Sequence, residues 1–184
     1  MASLSVLLFV PSVQAQRADA IAITASSDAY TVTVPLSRLE MVLPRSGLVQ
    51  NGPAGGAGNP RYFSFNDPSR GLVLSGWFEP ATAYKGVAAF WESELAGLRR
   101  SPLPAPTDVS IERAGSWDAI YYQQPLPEGL KLKGSSAHLR AQWVQAGTWI
   151  DLHLSNTTPE AYATNRAALE DFLKIIIVRE KPAN

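Results

Sequence analysis

Alternating apolar and polar positions predict a β-hairpin between Ser135 and Ser155, with its turn at Ala146-Gly147. If Gln145 faces Thr148, every apolar residue of one arm lies opposite an apolar residue of the other arm. A shift by one residue would mix the two faces, so the pattern predicts the register as well as the hairpin. The apolar positions are Leu139, Ala141 and Trp143 on the first arm and Ile150, Leu152 and Leu154 on the second.

The other face of this hairpin collects polar side chains, including both histidines of the chain. In the predicted register His138 and His153 are diagonal neighbours, roughly 7–8 Å apart between backbones. We expect a half-exposed sheet face, near an uncovered edge of the sheet, on which His and Arg side chains pair across the strands. Trp149 combines a large apolar ring with an N–H donor, which makes it the best candidate for contact with a ligand. The candidate ligand or partner surface is Trp149, Asp151, His153, His138 and Arg140.

Two segments have the three- and four-residue apolar spacing of amphipathic helices. The first runs from Ala81 to Arg100, with Thr82 as a plausible N-cap. The second begins at Thr158, where a capping hydroxyl is followed by proline and an acidic residue. The predicted buried stripes are Tyr84, Val87, Trp91, Leu95 and Leu98 in the first helix, and Tyr162, Leu169, Phe172, Leu173, Ile176 and Ile177 in the second.

The remaining strand-like segments follow one another in consecutive pairs, without helices between the members of a pair. This order indicates an α+β fold: an antiparallel sheet of about six to eight strands flanked by two main helices, as an α/β/α sandwich. The segments are 30–34, 38–43, 61–65, 72–78, 108–113 and 116–123. A Gly-rich stretch at 51–60 lacks the Gly-Lys-Ser/Thr ending of a phosphate loop and is predicted to be an ordinary loop, which could cover a site.

The composition excludes several classes of function. Lys+Arg and Asp+Glu both number 16, so no basic excess is present to bind a nucleic-acid backbone. The absence of cysteine excludes disulfides, thiolate metal sites and a thiol nucleophile. With 184 residues, 46% of them hydrophobic, the chain suits a single domain with a sizeable core.

The N-terminal stretch is typical of an export signal. A mostly apolar run from Leu4 to Val13 leads into Val13-Gln14-Ala15, which fits a cleavage site before Gln16, although no Lys or Arg precedes the run. The run is shorter than the ~20 apolar residues of a spanning helix. We expect a signal peptide over 1–15, a single α+β domain over 16–184, and a periplasmic or secreted protein without membrane insertion after signal removal. The alternative is a buried N-terminal strand or helix.

No motif in the sequence identifies a reaction. Gly-x-Ser-x-Gly and a Ser-x-x-Lys helix start are both absent, and Ser75 lies within a predicted strand. We therefore expect no catalytic residue, no metal and no cofactor, and a protein or small molecule as partner. The alternative is a metal-dependent or hydrolytic enzyme that uses His138, Asp151 and His153, since two imidazoles and a carboxylate can bind a divalent cation.

The order of elements resembles the PsbP-like fold, an α/β/α sandwich around an antiparallel sheet. That fold occurs in extrinsic PsbP proteins of photosystem II, in a Ran-binding nuclear import protein, and in small bacterial exported proteins of unassigned activity. The resemblance is one of layout and assigns no functional residue. It implies a non-enzymatic exported binding or accessory protein. The matching segments are VLPRSGL, RGLVLSGWF, AYKGVAAFWESELAGL, HLRAQWVQAGTWIDLHLS and TPEAYATNRAALEDFLKIII.

Overall fold

The computed structural model describes residues 20–34, 37–55, 58–126 and 134–181, and these form two antiparallel sheets and two α-helices. The helices are α1 (Val87–Leu98) and α2 (Tyr162–Lys174). The strands are β1 (Ala22–Ala25), β2 (Ala29–Thr33), β3 (Leu39–Pro44), β4 (Val49–Gln50), β5 (Tyr62–Asp67), β6 (Leu72–Pro80), β7 (Thr107–Ala114), β8 (Trp117–Gln124), β9 (Ser135–Gln145), β10 (Thr148–Thr158) and β11 (Ile177–Glu180).

The larger sheet has seven strands in the order β4-β5-β6-β10-β9-β8-β7. The helices lie on its two faces: α1 packs against β8, and α2 packs against β9 and β10. This confirms the predicted α+β class and an antiparallel sheet of six to eight strands between two helices. A second sheet, β1-β2-β3-β11, was not predicted, and it adds its buried side chains to the core on the α2 side.

The predicted hairpin is confirmed residue by residue as β9 and β10. Gln145 pairs with Thr148, and Trp143 lies opposite Ile150. The two-residue turn has φ of 48° at Ala146 and 72° at Gly147, and such left-handed pairs match the twist of the flanking strands. The hairpin is central in the sheet, between β6 and β8, rather than near an edge as predicted.

The core is continuous on the α2 side of the seven-stranded sheet. The apolar face of the hairpin is its centre, and α2 folds back onto it through Leu169, Phe172 and Leu173, three residues of the stripe that the sequence predicts to be buried. A second, smaller core lies under α1, where Trp91 packs on Tyr122 with ring centroids 5.2 Å apart. The sheet is therefore covered over both faces of the hairpin.

Both helix starts differ from the prediction. The segment Ala81–Ala83 is a 3₁₀ turn, and α1 begins only after Gly86, whose φ of 95° interrupts any helix continuing from Thr82. At the second helix, β10 continues through Thr158, and α2 begins at Tyr162. Thr158 still accepts a hydrogen bond from the backbone N–H of Glu160, so its hydroxyl supports the turn between strand and helix.

The sequence does not predict three short strands, β1, β4 and β11. These strands form through backbone pairing with neighbouring strands, and their own residues show no clear strand pattern. β1 and β4 carry weak local patterns, and the apolar spacing of α2 continues into β11, which favours a helix there. Ile177 is 54% exposed in β11 and pairs with Val42 of β3, so its predicted place in the buried helical stripe is wrong. Ile176 is buried as predicted, but it lies beyond the last helical residue.

Several sequence predictions are left open by the part of the chain that the structure describes. The predicted signal peptide over 1–15 lies outside the described residues. In the Gly-rich loop, Asn51 and Gly55 donate backbone hydrogen bonds to Ser64 and Tyr62 of β5, and a covering role stays a prediction. Within the described ranges, no helix is long and apolar enough to cross a membrane.

Candidate functional site

The predicted polar face lies beneath helix α1, where it contains a buried ion cluster of Glu94, Arg140 and Asp151. The Arg140 guanidinium donates to Asp151 Oδ2 at 2.9 Å, and Glu94 Oε2 of α1 lies 3.8 Å from the same nitrogen. The side chains of Arg140 and Asp151 are only 4% and 0% exposed. The expectation of a half-exposed face is therefore wrong for these two residues, because α1 covers them.

The Arg140 side chain is also enclosed by aromatic rings. Its guanidinium carbon lies 4.9 Å from the ring centroids of both Trp77 and Phe90, a geometry that adds cation–π attraction in a desolvated setting. Burial raises the pKa of Asp151 to about 7, with Arg140 opposing the rise and Glu94 adding to it. The cluster therefore joins one strand pair to α1 through a buried ion pair and a Glu94 side chain that is 28% exposed.

The two histidines form a second polar feature beside this cluster. His138 Nδ1 and His153 Nε2 are 2.9 Å apart, and His138 Nε2 lies 2.9 Å from Ser136 Oγ. Ser136 Oγ is in turn 2.9 Å from the hydroxyl of Thr157. With neutral rings, Thr157, Ser136 and His138 can each donate to the next group, ending at His153. The imidazoles also stack, with Tyr122 against His138 and His138 against His153.

The surroundings of the histidines favour their neutral forms. Burial and the nearby Arg140 charge lower the pKa of His138 to about 4. The same two causes, with the charge on His138 as a smaller one, lower the pKa of His153 well below its ordinary value of 6.5. A neutral pair explains how two imidazoles can pack together beside a guanidinium.

The predicted alternative of a metal site finds little support in this geometry. The described residues contain no group of three or more His, Asp or Glu side chains arranged to hold a metal ion. Asp151 faces Arg140 instead of the histidines, and the ring nitrogens of His138 and His153 bond to each other. A guanidinium in this position would also repel a divalent cation.

An open aromatic groove lies at the edge of α1, between the helix and strand β10. Trp149 forms its floor, with the Tyr84 ring centroid 5.4 Å away and the Phe90 centroid 6.0 Å away. The groove has a volume of about 240 Å³ and is completed by Ala83, Lys85, Ala89 and Ser93. Tyr84 donates its hydroxyl to Asp118 Oδ2 at 2.8 Å, which fixes one wall of the groove to the sheet. We name these residues the Trp149 groove.

The five predicted surface residues thus divide into two environments. Trp149 lines an open groove, whereas Arg140 and Asp151 are buried, and His138 and His153 are partly buried beside them on the side away from Trp149. Sequence reasoning missed Glu94 and Phe90, which reach the face from α1. The only available signal was that these two residues lie one helical turn apart, which places them on one side of the helix.

Comparisons with known proteins give little further information. No protein-family model matches the sequence, and no curated protein matches it. Among solved structures, the chain is similar to a crystal structure from Bacteroides thetaiotaomicron VPI-5482, with 15% sequence identity and a TM-score of 0.45. The match covers 77% of this chain and 45% of that chain, so the chain spans less than half the length of its structural neighbour. A similarity this distant carries no argument about function.

Proposed function

We propose that this protein is an exported, non-enzymatic binding or accessory protein that contacts its partner through the Trp149 groove. The observation that carries the proposal is the placement of three aromatic rings, Tyr84, Phe90 and Trp149, around one open depression. Aromatic side chains with large contact area and few rotatable bonds are favoured at binding surfaces. Two polar residues at the rim, Lys85 and Ser93, can form hydrogen bonds that orient a bound partner.

The neighbouring charges support a binding role more than a catalytic one. Arg140 and Asp151 bind each other under α1, and the histidines bond to each other with lowered pKa values. A general base at neutral pH needs a pKa near the working pH, which an imidazole with a pKa of about 4 does not have. We propose that the ion pair and the two histidines hold α1 in place and so maintain the shape of the groove.

Site-specific photo-cross-linking in the cells that produce the protein tests the groove. A benzophenone amino acid at Ala89, which is exposed and lines the groove, is expected to give a discrete adduct with the partner. The matched control is the same substitution at Ala96, an exposed residue farther along α1. Gel shift and mass spectrometry of the adducts provide the measurement.

Two results would overturn this assignment. Identical adducts from Ala89 and Ala96, or none from either, would remove the groove as the contact surface. Covalent labelling of Ser136 by a fluorophosphonate, retained in the control variant Ser155→Ala, would show that Ser136 is activated although the pKa of His138 is lowered, and would favour a second candidate function as a serine hydrolase. That candidate rests on the 2.9 Å contacts that join Ser136, His138 and His153 in the order nucleophile, base and orienting group.

Export is proposed from the N-terminal pattern and has its own test. If residues 1–15 are a signal peptide, the mature protein recovered from the periplasm or medium should begin at Gln16. N-terminal sequencing of the native protein measures this directly. A cytoplasmic protein that retains Leu4 to Val13 would contradict the proposal.

We also propose a relationship to the PsbP-like fold. A seven-stranded antiparallel sheet with a helix on each face supports it, as does the order in which the elements follow one another. In that setting the protein would act as an accessory factor of another assembly rather than as an enzyme.

A further inference from the structure

A depression on the opposite side of the sheet lies between α2 and the ends of two strands. It has a volume of about 360 Å³, at the lower end of the range for small-molecule sites. Leu72 of β6 contributes to its base, and Ala168 and Phe172 of α2 form one wall. Ile175, just past the helix, is 50% exposed at the opening. The lining is mostly apolar, and it shares no residue with the Trp149 groove.

One buried polar residue interrupts this apolar lining. The core-facing series Ile150, Leu152 and Leu154 on β10 continues with Asn156, which is 5% exposed and lines the cavity. Among the described residues, no donor reaches its Oδ1 atom. Since a buried oxygen without a donor is energetically unfavourable, a ligand that donates to it gains both affinity and selectivity.

The charges at the opening are already compensated within the protein. Arg70 lies 3.5 Å from Asp67, and Asp171 lies 3.2 Å from Lys174. Neither rim residue therefore offers a free charge of one sign to an ionic ligand. A neutral molecule fits this site better than an acid or an amine cation.

We propose that this cavity binds a neutral, mainly apolar small molecule that donates one hydroxyl or N–H hydrogen bond to Asn156 Oδ1, an inaccessible atom that a turn of the side-chain amide brings into the cavity. The volume suits a molecule of the size of a bicyclic aromatic alcohol. The site is separate from the Trp149 groove, so this inference does not depend on the proposed function. Leu72 and Phe172 provide the apolar contact area, and Asn156 selects for the donor.

Titration calorimetry with two isosteric probes tests the assignment on the full chain. We expect 2-naphthol to bind about fivefold more tightly than 2-methylnaphthalene, since one hydrogen bond is worth about 1 kcal/mol. Ala168→Phe should abolish binding of both probes by filling the cavity. Ala167→Phe is the matched control, because Ala167 is also exposed on α2 but does not line the cavity.

The role of Asn156 has a separate readout. Asn156→Leu should bind both probes equally, and the side-chain amide resonances of Asn156 in the unsubstituted protein should shift with 2-naphthol. If Asn156→Leu does not fold, the resonance shift in the unsubstituted protein still tests the hydrogen bond from 2-naphthol to Asn156. Failure of both probes to bind, unchanged binding in Ala168→Phe, or equal affinity of the unsubstituted protein for the two probes would overturn the proposal.

Discussion

Replacing Arg140 by Met is expected to lower the free energy of unfolding by about 3–5 kcal/mol at pH 8, the usual cost of removing one partner of a buried ion pair. The change leaves the carboxylate of Asp151, which is 0% exposed, without its 2.9 Å partner. It also removes the cation from between Trp77 and Phe90. Urea denaturation followed by tryptophan fluorescence measures the effect.

The destabilisation caused by Arg140→Met should depend on pH and on whether Asp151 is also replaced. At pH 5 the loss should be smaller, because the carboxyl of Asp151, with its raised pKa, can take up a proton instead of remaining charged. Arg140→Met combined with Asp151→Leu should recover most of the stability, since a well-packed apolar pair can replace a buried ion pair.

Arg113→Met is the matched control for this prediction. Arg113 also pairs with an aspartate, Asp118, at 2.6 Å, but its side chain is 64% exposed. Its loss should cost about 0–1 kcal/mol. If Arg140→Met is no more destabilising than Arg113→Met, the buried ion cluster does not stabilise the packing of α1 on the sheet.

The second large effect is expected from acidification of the histidine pair. The pKa of His138 falls from 6.5 to about 4 on folding, so the unfolded chain binds a proton more readily. The stability from the neutral ring is fully present above pH 6.5 and is lost as pH falls towards 4. At about 1.36 kcal/mol per pKa unit, His138 alone should lose about 3 kcal/mol. His153, shifted in the same direction, should add to the loss.

The comparison that isolates this effect is with His138→Phe/His153→Phe, which keeps aromatic rings beside Tyr122. Relative to this variant, the unsubstituted protein should lose stability between pH 7 and pH 4. Glu94, Arg140 and Asp151 face the histidines in both proteins, so their contributions largely cancel in the difference. Parallel stability curves over this interval would show that the histidines do not sense pH.

Comparison with Asp151→Asn should show a stability change of the opposite sign over the same pH interval, which serves as an internal check. Burial raises the pKa of Asp151 from 3.8 to about 7, so its contribution is fully present at low pH and is lost as pH rises through 7. The unsubstituted protein should therefore gain stability relative to Asp151→Asn as pH falls from 7 to 4. Because the histidines and Asp151 titrate with opposite effects on stability, each effect is measured against a variant that lacks the titrating group.

Local patterns predicted the central hairpin because its determinants are local. The alternation from Leu139 to Leu154 and the Ala146-Gly147 turn specify both faces and the register. The apolar spacing of α2 likewise predicted the burial of Leu169, Phe172 and Leu173. Helix boundaries were less accurate, because Gly86 and the continuation of β10 decide where the helices begin.

The surroundings of the polar face could not be derived from the hairpin itself. Glu94 and Phe90 reach Arg140 from a helix more than forty residues earlier in the chain, and nothing local indicates that approach. The short strands β1, β4 and β11 likewise depend on partners that supply their backbone hydrogen bonds.

The sequence by itself determined the α+β class, the hairpin with its register, and the gathering of His138, Arg140, Asp151 and His153 on one face. Only the tertiary structure decided that α1 covers this face. Burial depends on which distant element packs over a surface, and residue alternation along two strands carries no information about that element. The charges of Arg140 and Asp151, which would be solvated on an open sheet, are therefore desolvated. The side chains of this face that remain accessible to a partner are those of the Trp149 groove.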